Sequence, residues 1–129
     1  MKPATLCWLI SLLVVSTAQA QRRRKIDPCA NAQSQLEMNI CAGNEYKAAD
    51  ATLNQVYKQL MAMLDDDEKL QLKEVENTWI KYRDTNCEFV ADQYKGGSMR
   101  PMVQGYCLAD MTKRRTAEIR EQIKERKPK

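Results

Sequence analysis

The chain has 129 residues, with 21 Lys/Arg, 17 Asp/Glu and a formal net charge of +4. That length sets an upper bound of one domain. Histidine is absent, which removes the commonest general base, the commonest metal ligand and every Ser-His or Cys-His nucleophile pair.

The first segment in chain order is a leader. "MKPATLCWLISLLVVSTAQA", residues 1–20, combines Lys2, an apolar run from Leu6 to Val15 broken by Ser11, and the small-x-small end Ala18-Gln19-Ala20. This is the pattern of a secretory signal peptide cleaved after Ala20, and the run is short for a membrane anchor. Cys7 falls inside it, too near the start and without the small residues that a lipidation site carries. The expected mature chain, residues 21–129, is periplasmic or secreted and has no transmembrane segment.

The mature chain opens on a basic arm, residues 21–28, with Arg22, Arg23, Arg24 and Lys25, and closes on a basic tail, "KERKPK", residues 124–129. Between Ile26 and Ile123 twelve Lys/Arg stand against sixteen Asp/Glu, so the body itself is acidic. An acidic body steers cationic partners toward it. The two tails read as solvated ends, with an anionic envelope surface as the alternative contact for the arm. No nucleic-acid partner is expected.

The body, residues 29–123, predicts an all-α fold: a small antiparallel hairpin or bundle of three to four helices. Gly and Pro are scarce and no strand-length alternation occurs. Asp27-Pro28 is one helix start, and Ser34-Gln35-Leu36-Glu37, with capping-box spacing, is a second. The first long helix carries Leu36, Ile40, Leu53, Val56, Leu60 and Leu64, with Gly43-Asn44 as a place to bend. "LDDDEK", residues 64–69, ends it and starts the next, with Asp66 or Asp67 as the cap. The second helix runs to about Tyr94 and sets Leu72, Val75, Trp79, Tyr82 and Phe89 or Val90 on one side. A third begins near Pro101 and carries Met102, Tyr106, Met111, Ile119 and Ile123.

Four mature cysteines remain, Cys29, Cys41, Cys87 and Cys107, an even count that suits disulfides in an oxidising compartment. In one straight helix Cys29 and Cys41 would stand roughly 18 Å apart, against about 7 Å for a disulfide. They can pair only if the chain turns between them, and Ser34 marks such a turn. Cys87 and Cys107 sit at nearly matching heights on either side of "QYKGGSMRPM", residues 93–102. Geometry therefore permits both Cys29–Cys41 and Cys87–Cys107, although spacing alone does not choose among the pairings.

Candidate chemistry is thin. The cysteine spacings are far from zinc clips, Asp65, Asp66, Asp67 and Glu68 read as helix capping, Ser98 has no base in sight, and "KGGS" lacks the spacing of a phosphate loop. No enzyme activity, metal or cofactor is expected. In "WIKYRDTNC", residues 79–87, Trp79 and Tyr82 are expected to face the core. Arg83 is expected either to form a surface pair with Asp84 or to reach Asp50 or Glu45 on the first long helix.

Several separated motifs together resemble the LprI-type lysozyme-inhibitor family over roughly residues 29–120. They are Cys29, Glu37 and Cys41; Asp50, Leu53, Asn54 and Tyr57; Trp79, Tyr82, Arg83 and Cys87; Gly96, Gly97 and Ser98; and Cys107, Thr112 and Arg115. The resemblance implies a small exported helical domain held by two disulfides, with Asp50, Asn54, Tyr57, Trp79, Tyr82, Arg83 and Arg115 as structural motif residues. It also implies that the partner is lysozyme or a related cell-wall hydrolase. The family's namesake is a lipoprotein, whereas this chain lacks a lipidation motif and is expected to be free of the membrane.

Such hydrolases act through a carboxylate pair in an open cleft. A short connection offering a cation or a hydroxyl could occupy that cleft, and Lys95, Gly96, Gly97, Ser98 and Arg100 are the expected inhibitory loop. The alternatives are an immunity protein against a peptidoglycan-degrading toxin, and an envelope adaptor acting through its basic arm.

Overall fold

The computed structural model describes residues 28–126. The expected signal peptide, the arm residues Arg22, Arg23, Arg24 and Lys25, and residues 127–129 lie outside the described residues. A 3₁₀ turn, Pro28–Asn31, leads into three α-helices: α1 Gln35–Met61, α2 Asp66–Asp92 and α3 Arg100–Arg126. Each helix has 27 residues, which makes it ~40 Å long.

Local chemistry explains the boundaries. Ser34 caps α1: its hydroxyl accepts from the Glu37 N–H at 3.2 Å, while the Glu37 carboxylate accepts from the Ser34 N–H at 3.0 Å. The backbone bonds from Ser34 and Gln33 hold the Glu37 carboxyl below its usual pKa. Asp65 repeats the device for α2, its carboxylate accepting from the Glu68 N–H at 2.9 Å. The cap is therefore Asp65 rather than Asp66 or Asp67, which stand inside the first turn. α1 runs through Gly43-Asn44 without interruption. α3 continues to Arg126, so Lys124 and Arg126 of the expected tail are helical.

Both disulfides are the geometrically permitted pairs, Cys29–Cys41 and Cys87–Cys107, each with Cα atoms 5.5 Å apart. The first clips the 3₁₀ turn onto α1. The second ties α2 to α3 behind the turn that joins them.

α3 is the central helix, packed on both α1 and α2. It runs parallel to α1, as the meetings of Asn39 with Ser98, Ala42 with Gly105 and Glu45 with Lys113 show. Its inward positions, Gly105, Ala109, Thr112, Thr116, Ile119 and Ile123, alternate by four and three residues and are all buried. On α1 the buried positions Ala42, Ala49, Leu53, Val56 and Leu60 follow the same period. Small residues occupy the disulfide end of this seam. Large ones fill the other end, where Leu53, Val56, Leu60, Leu64, Leu72, Ile119 and Ile123 form the apolar core.

α2 leans on this pair through a seam that is largely polar. Its inward positions are Leu72, Glu76, Arg83, Cys87 and Ala91, with Trp79 half-buried among them. Arg115 of α3 donates to the Glu76 carboxylate at 2.9 and 3.0 Å and to Glu118 at 2.9 Å. Burial works against the Arg115 charge, but its bonds to Glu118 and Glu76 outweigh it and leave the pKa raised. Arg83 donates to Asp84 at 2.8 Å and to the Thr112 hydroxyl at 3.3 Å, and it stands 3.7 Å from Asp50 of α1. Its guanidinium lies 5.2 Å from the Tyr46 ring centroid and 5.1 Å from that of Trp79. Arg83 is thus a buried link among all three helices that both pairs with Asp84 and reaches Asp50, while Glu45 pairs with Lys113 instead.

This seam overturns part of the expected core. From Trp79 the inward direction continues four residues on, to Arg83, and not three residues on, to Tyr82. Tyr82 is 60 % exposed and Phe89 79 % exposed, and Val75 shares their outward side. On α1, Leu36 and Ile40 are likewise exposed, because the seam passes through Cys41 and Ala42.

Two stability predictions follow from the packing. A Cβ on Gly105 would lie 2.9 Å from the Ala42 Cβ and 3.0 Å from its backbone carbon. Gly105→Val should therefore lower stability by about 1–3 kcal/mol in urea titration, whereas Gly43→Ala, in open space within α1, should raise it by about 0.5–1 kcal/mol. Arg115→Ala leaves the buried Glu76 uncompensated and should cost about 3–5 kcal/mol. Adding Glu76→Leu should recover part of that loss, and a double-mutant cycle measures how much.

Candidate functional site

The turn between α2 and α3 is built as a rigid projection. The N–H groups of Tyr94, Lys95 and Gly97 donate to the carbonyls of Ala91, Asp92 and Tyr94 at 2.9, 3.0 and 2.9 Å. Gly96 takes φ +79°, a left-handed conformation that side chains disfavour. Asn39 of α1 donates to the Ser98 carbonyl at 3.1 Å, and Gln35 in turn donates to Asn39 at 2.9 Å. The turn is therefore held by α1 and by the Cys87–Cys107 bridge beneath it.

Of the expected loop residues, Lys95, Gly96, Gly97 and Ser98 are exposed. Arg100 is not a free cation: it donates to Glu88 at 2.8 Å and to Asp92 at 3.0 Å, folding back onto the last turns of α2. The bond to Asp92, joined by that to Glu88, raises its pKa. Arg100 thus braces the turn, and Lys95 and Ser98 are the groups it presents.

The structural motif residues divide between two faces of α2. On one face, Asp50, Leu53, Asn54 and Tyr57 of α1 line a cleft of about 220 Å³ together with Glu76 and Arg83. Asn54 donates to the Asp50 carboxylate at 3.0 Å, which fixes Asp50 near Arg83. The Oε1 atom of Glu76 is buried with no hydrogen-bond partner among the described residues. On the other face, Trp79 and Tyr82 line a groove between α2 and α3. One part, of about 480 Å³, adds Val75, Thr78 and Arg115, and an adjoining part adds Met111, Arg114 and Glu118.

Sequence reasoning missed this second face. Its signal is the seven-residue step Val75, Tyr82, Phe89, which runs beside the buried seam rather than within it. Chemically, the molecule offers surfaces for binding: a projecting cation and hydroxyl, and an aromatic groove. Among the described residues no three His, Cys, Asp or Glu side chains are grouped to hold a metal ion. No helix among them is long and apolar enough to cross a membrane.

Comparison with known proteins places the sequence in a family. The sequence model of the family described as "Lysozyme inhibitor LprI" matches residues 27–119, nearly the whole described body. An uncharacterized protein of Rhizobium meliloti (strain 1021) is 38 % identical over 125 residues, covering 87 % of this chain and 90 % of the relative. No solved structure matches. Because that family model covers residues 27–119, well over half of the sequence, the chain belongs to the LprI lysozyme-inhibitor family.

Proposed function

We propose that this chain is an exported inhibitor of lysozyme or a related peptidoglycan hydrolase, acting by binding the enzyme and carrying out no reaction of its own. The observation that carries this reading is the match to a lysozyme-inhibitor family across almost all of the described body. Export rests on the signal-peptide pattern of residues 1–20, with the mature protein periplasmic or secreted.

The mechanism follows from the enzyme's needs. A lysozyme-type cleft holds two carboxylates around the scissile bond and must admit an extended glycan. A preorganised projection that enters the cleft excludes the substrate and loses little conformational entropy on binding. The turn at residues 93–99 meets that need. Lys95 supplies a cation for the enzyme's carboxylates and Ser98 a hydroxyl, while Gly96 and Gly97 keep the tip slim. Arg100 sets the direction of the turn through Glu88 and Asp92.

Disulfide-bonded residues 21–129 should inhibit a cationic lysozyme on cell-wall substrate at micromolar concentration or below; no inhibition of any lysozyme-type hydrolase at that level overturns the reading. Lys95→Ala should weaken inhibition by about 1–2 kcal/mol with the thermal midpoint unchanged. Unaltered potency would remove the turn from the mechanism.

A further inference from the structure

The outer face of α2 carries aromatic and apolar side chains that the fold does not use. Phe89 is the only phenylalanine in the chain, yet it is 79 % exposed, more than any other large apolar side chain among the described residues. Val75, Tyr82 and Phe89 are spaced seven residues apart. Seven residues make almost two helical turns, so the three side chains form one stripe along the helix, about 20 Å from end to end. Tyr82 is mostly exposed and lies outside the core cluster.

The surroundings give the stripe depth and charge. Beside Tyr82 the surface falls into the groove lined by Trp79, Met111, Arg114, Arg115 and Glu118. Exposed Tyr82 and Arg114 beside half-buried Trp79 are of the side-chain types that most often dominate the energetics of protein interfaces. α2 is also the acidic helix: it holds eight Asp/Glu against four Lys/Arg, while α3 holds four against seven. Glu74 borders the groove, and Glu88 and Asp92 share the single cation Arg100. The helix that carries the stripe is therefore net acidic, and exposed Glu74, Glu88 and Asp92 add charge complementary to a cationic protein. Phe89 lies within one helical turn of Asp92, where α2 gives way to the 93–99 turn.

We propose that the Val75–Tyr82–Phe89 face, with the Trp79–Met111 groove beside it, is the docking surface for the rim of a cationic lysozyme-type hydrolase. Residues 93–99 then reach into the cleft. This rests on the reading under Proposed function and extends it, because most of the contact area lies on α2 and not on the turn. The aromatic residues hold the complex together. The excess acid of α2 speeds encounter, so the association rate falls as salt rises.

The test uses the oxidised chain, residues 21–129, titrated against a cationic lysozyme by inhibition and by direct binding. Tyr82→Ala and Phe89→Ala should each weaken binding by about tenfold or more, chiefly through faster dissociation, with unchanged thermal midpoints. Phe89→Tyr should restore most of the affinity, and Leu36→Ala, an exposed apolar residue on α1, should change nothing. Wild-type inhibition by both alanine variants would overturn the docking surface and leave the inhibitor reading intact. Absence of binding by the unsubstituted chain would overturn both.

Discussion

The close approach of α3 to α1 is the constraint on which the rest of the architecture depends. Gly105 meets Ala42 with no room for another carbon, and Ala49, Ala109, Thr112 and Thr116 continue the tight seam toward the apolar core. Two helices that lie this close along small residues leave the third to pack on one side. α2 therefore rests mainly on α3 and reaches α1 through long side chains. Arg83 touches Asp50 and Tyr46 there, while Glu76 binds Arg115 of α3. A buried charged layer is a costly way to fill space, because each ion gives up its hydration and breaks even only when well paired. It does fix the register: Arg115 can meet Glu76, and Arg83 can meet Thr112, in one alignment of α2 on α3.

That arrangement determines what the protein can present. Since α2 turns Arg83 inward, it must turn Tyr82 outward, and the same rotation carries Val75 and Phe89 to the surface. The Cys87–Cys107 bridge and Arg100 then fix the end of α2 against the start of α3, so the turn between them projects without freedom. Closing a loop of this size by a disulfide stabilises a small domain by about 3 kcal/mol, which suits a chain whose core is mostly alanine, leucine and isoleucine. The geometry supplies a small braced scaffold, and the family assignment is what supports the proposed binding role.

Much of the fold was legible in the sequence for concrete reasons. The Ser34 capping box, the acidic start near Asp65 and Pro101 are local signals that each mark a boundary within a residue or two, and the Gly96-Gly97 break falls inside the turn between α2 and α3. Helix geometry permitted both disulfides without choosing among the pairings, and the structure forms those two. The facing of α2 was not legible, because three- and four-residue steps are both helical and hydrophobicity favours Tyr82 over Arg83 for the interior. Only the tertiary partners Asp50, Tyr46 and Thr112, on two other helices, make Arg83 the inward residue. The same gap hid the groove beside Tyr82, and it hid the tying of Arg100 to Glu88, which lies twelve residues back along the chain.

In the proposed complex a hydrolase covers one face, made of the end of α2 and the turn that follows it. Titrating isotopically labelled, disulfide-bonded residues 21–129 with unlabelled lysozyme, and following side-chain and amide resonances by NMR, tests it most directly. Saturable shifts are expected at Tyr82, Phe89 and Lys95 to Ser98, with Leu36, Ile40 and the Leu60–Ile119 core unmoved. Shifts centred on α1, or none at saturating lysozyme, would contradict it.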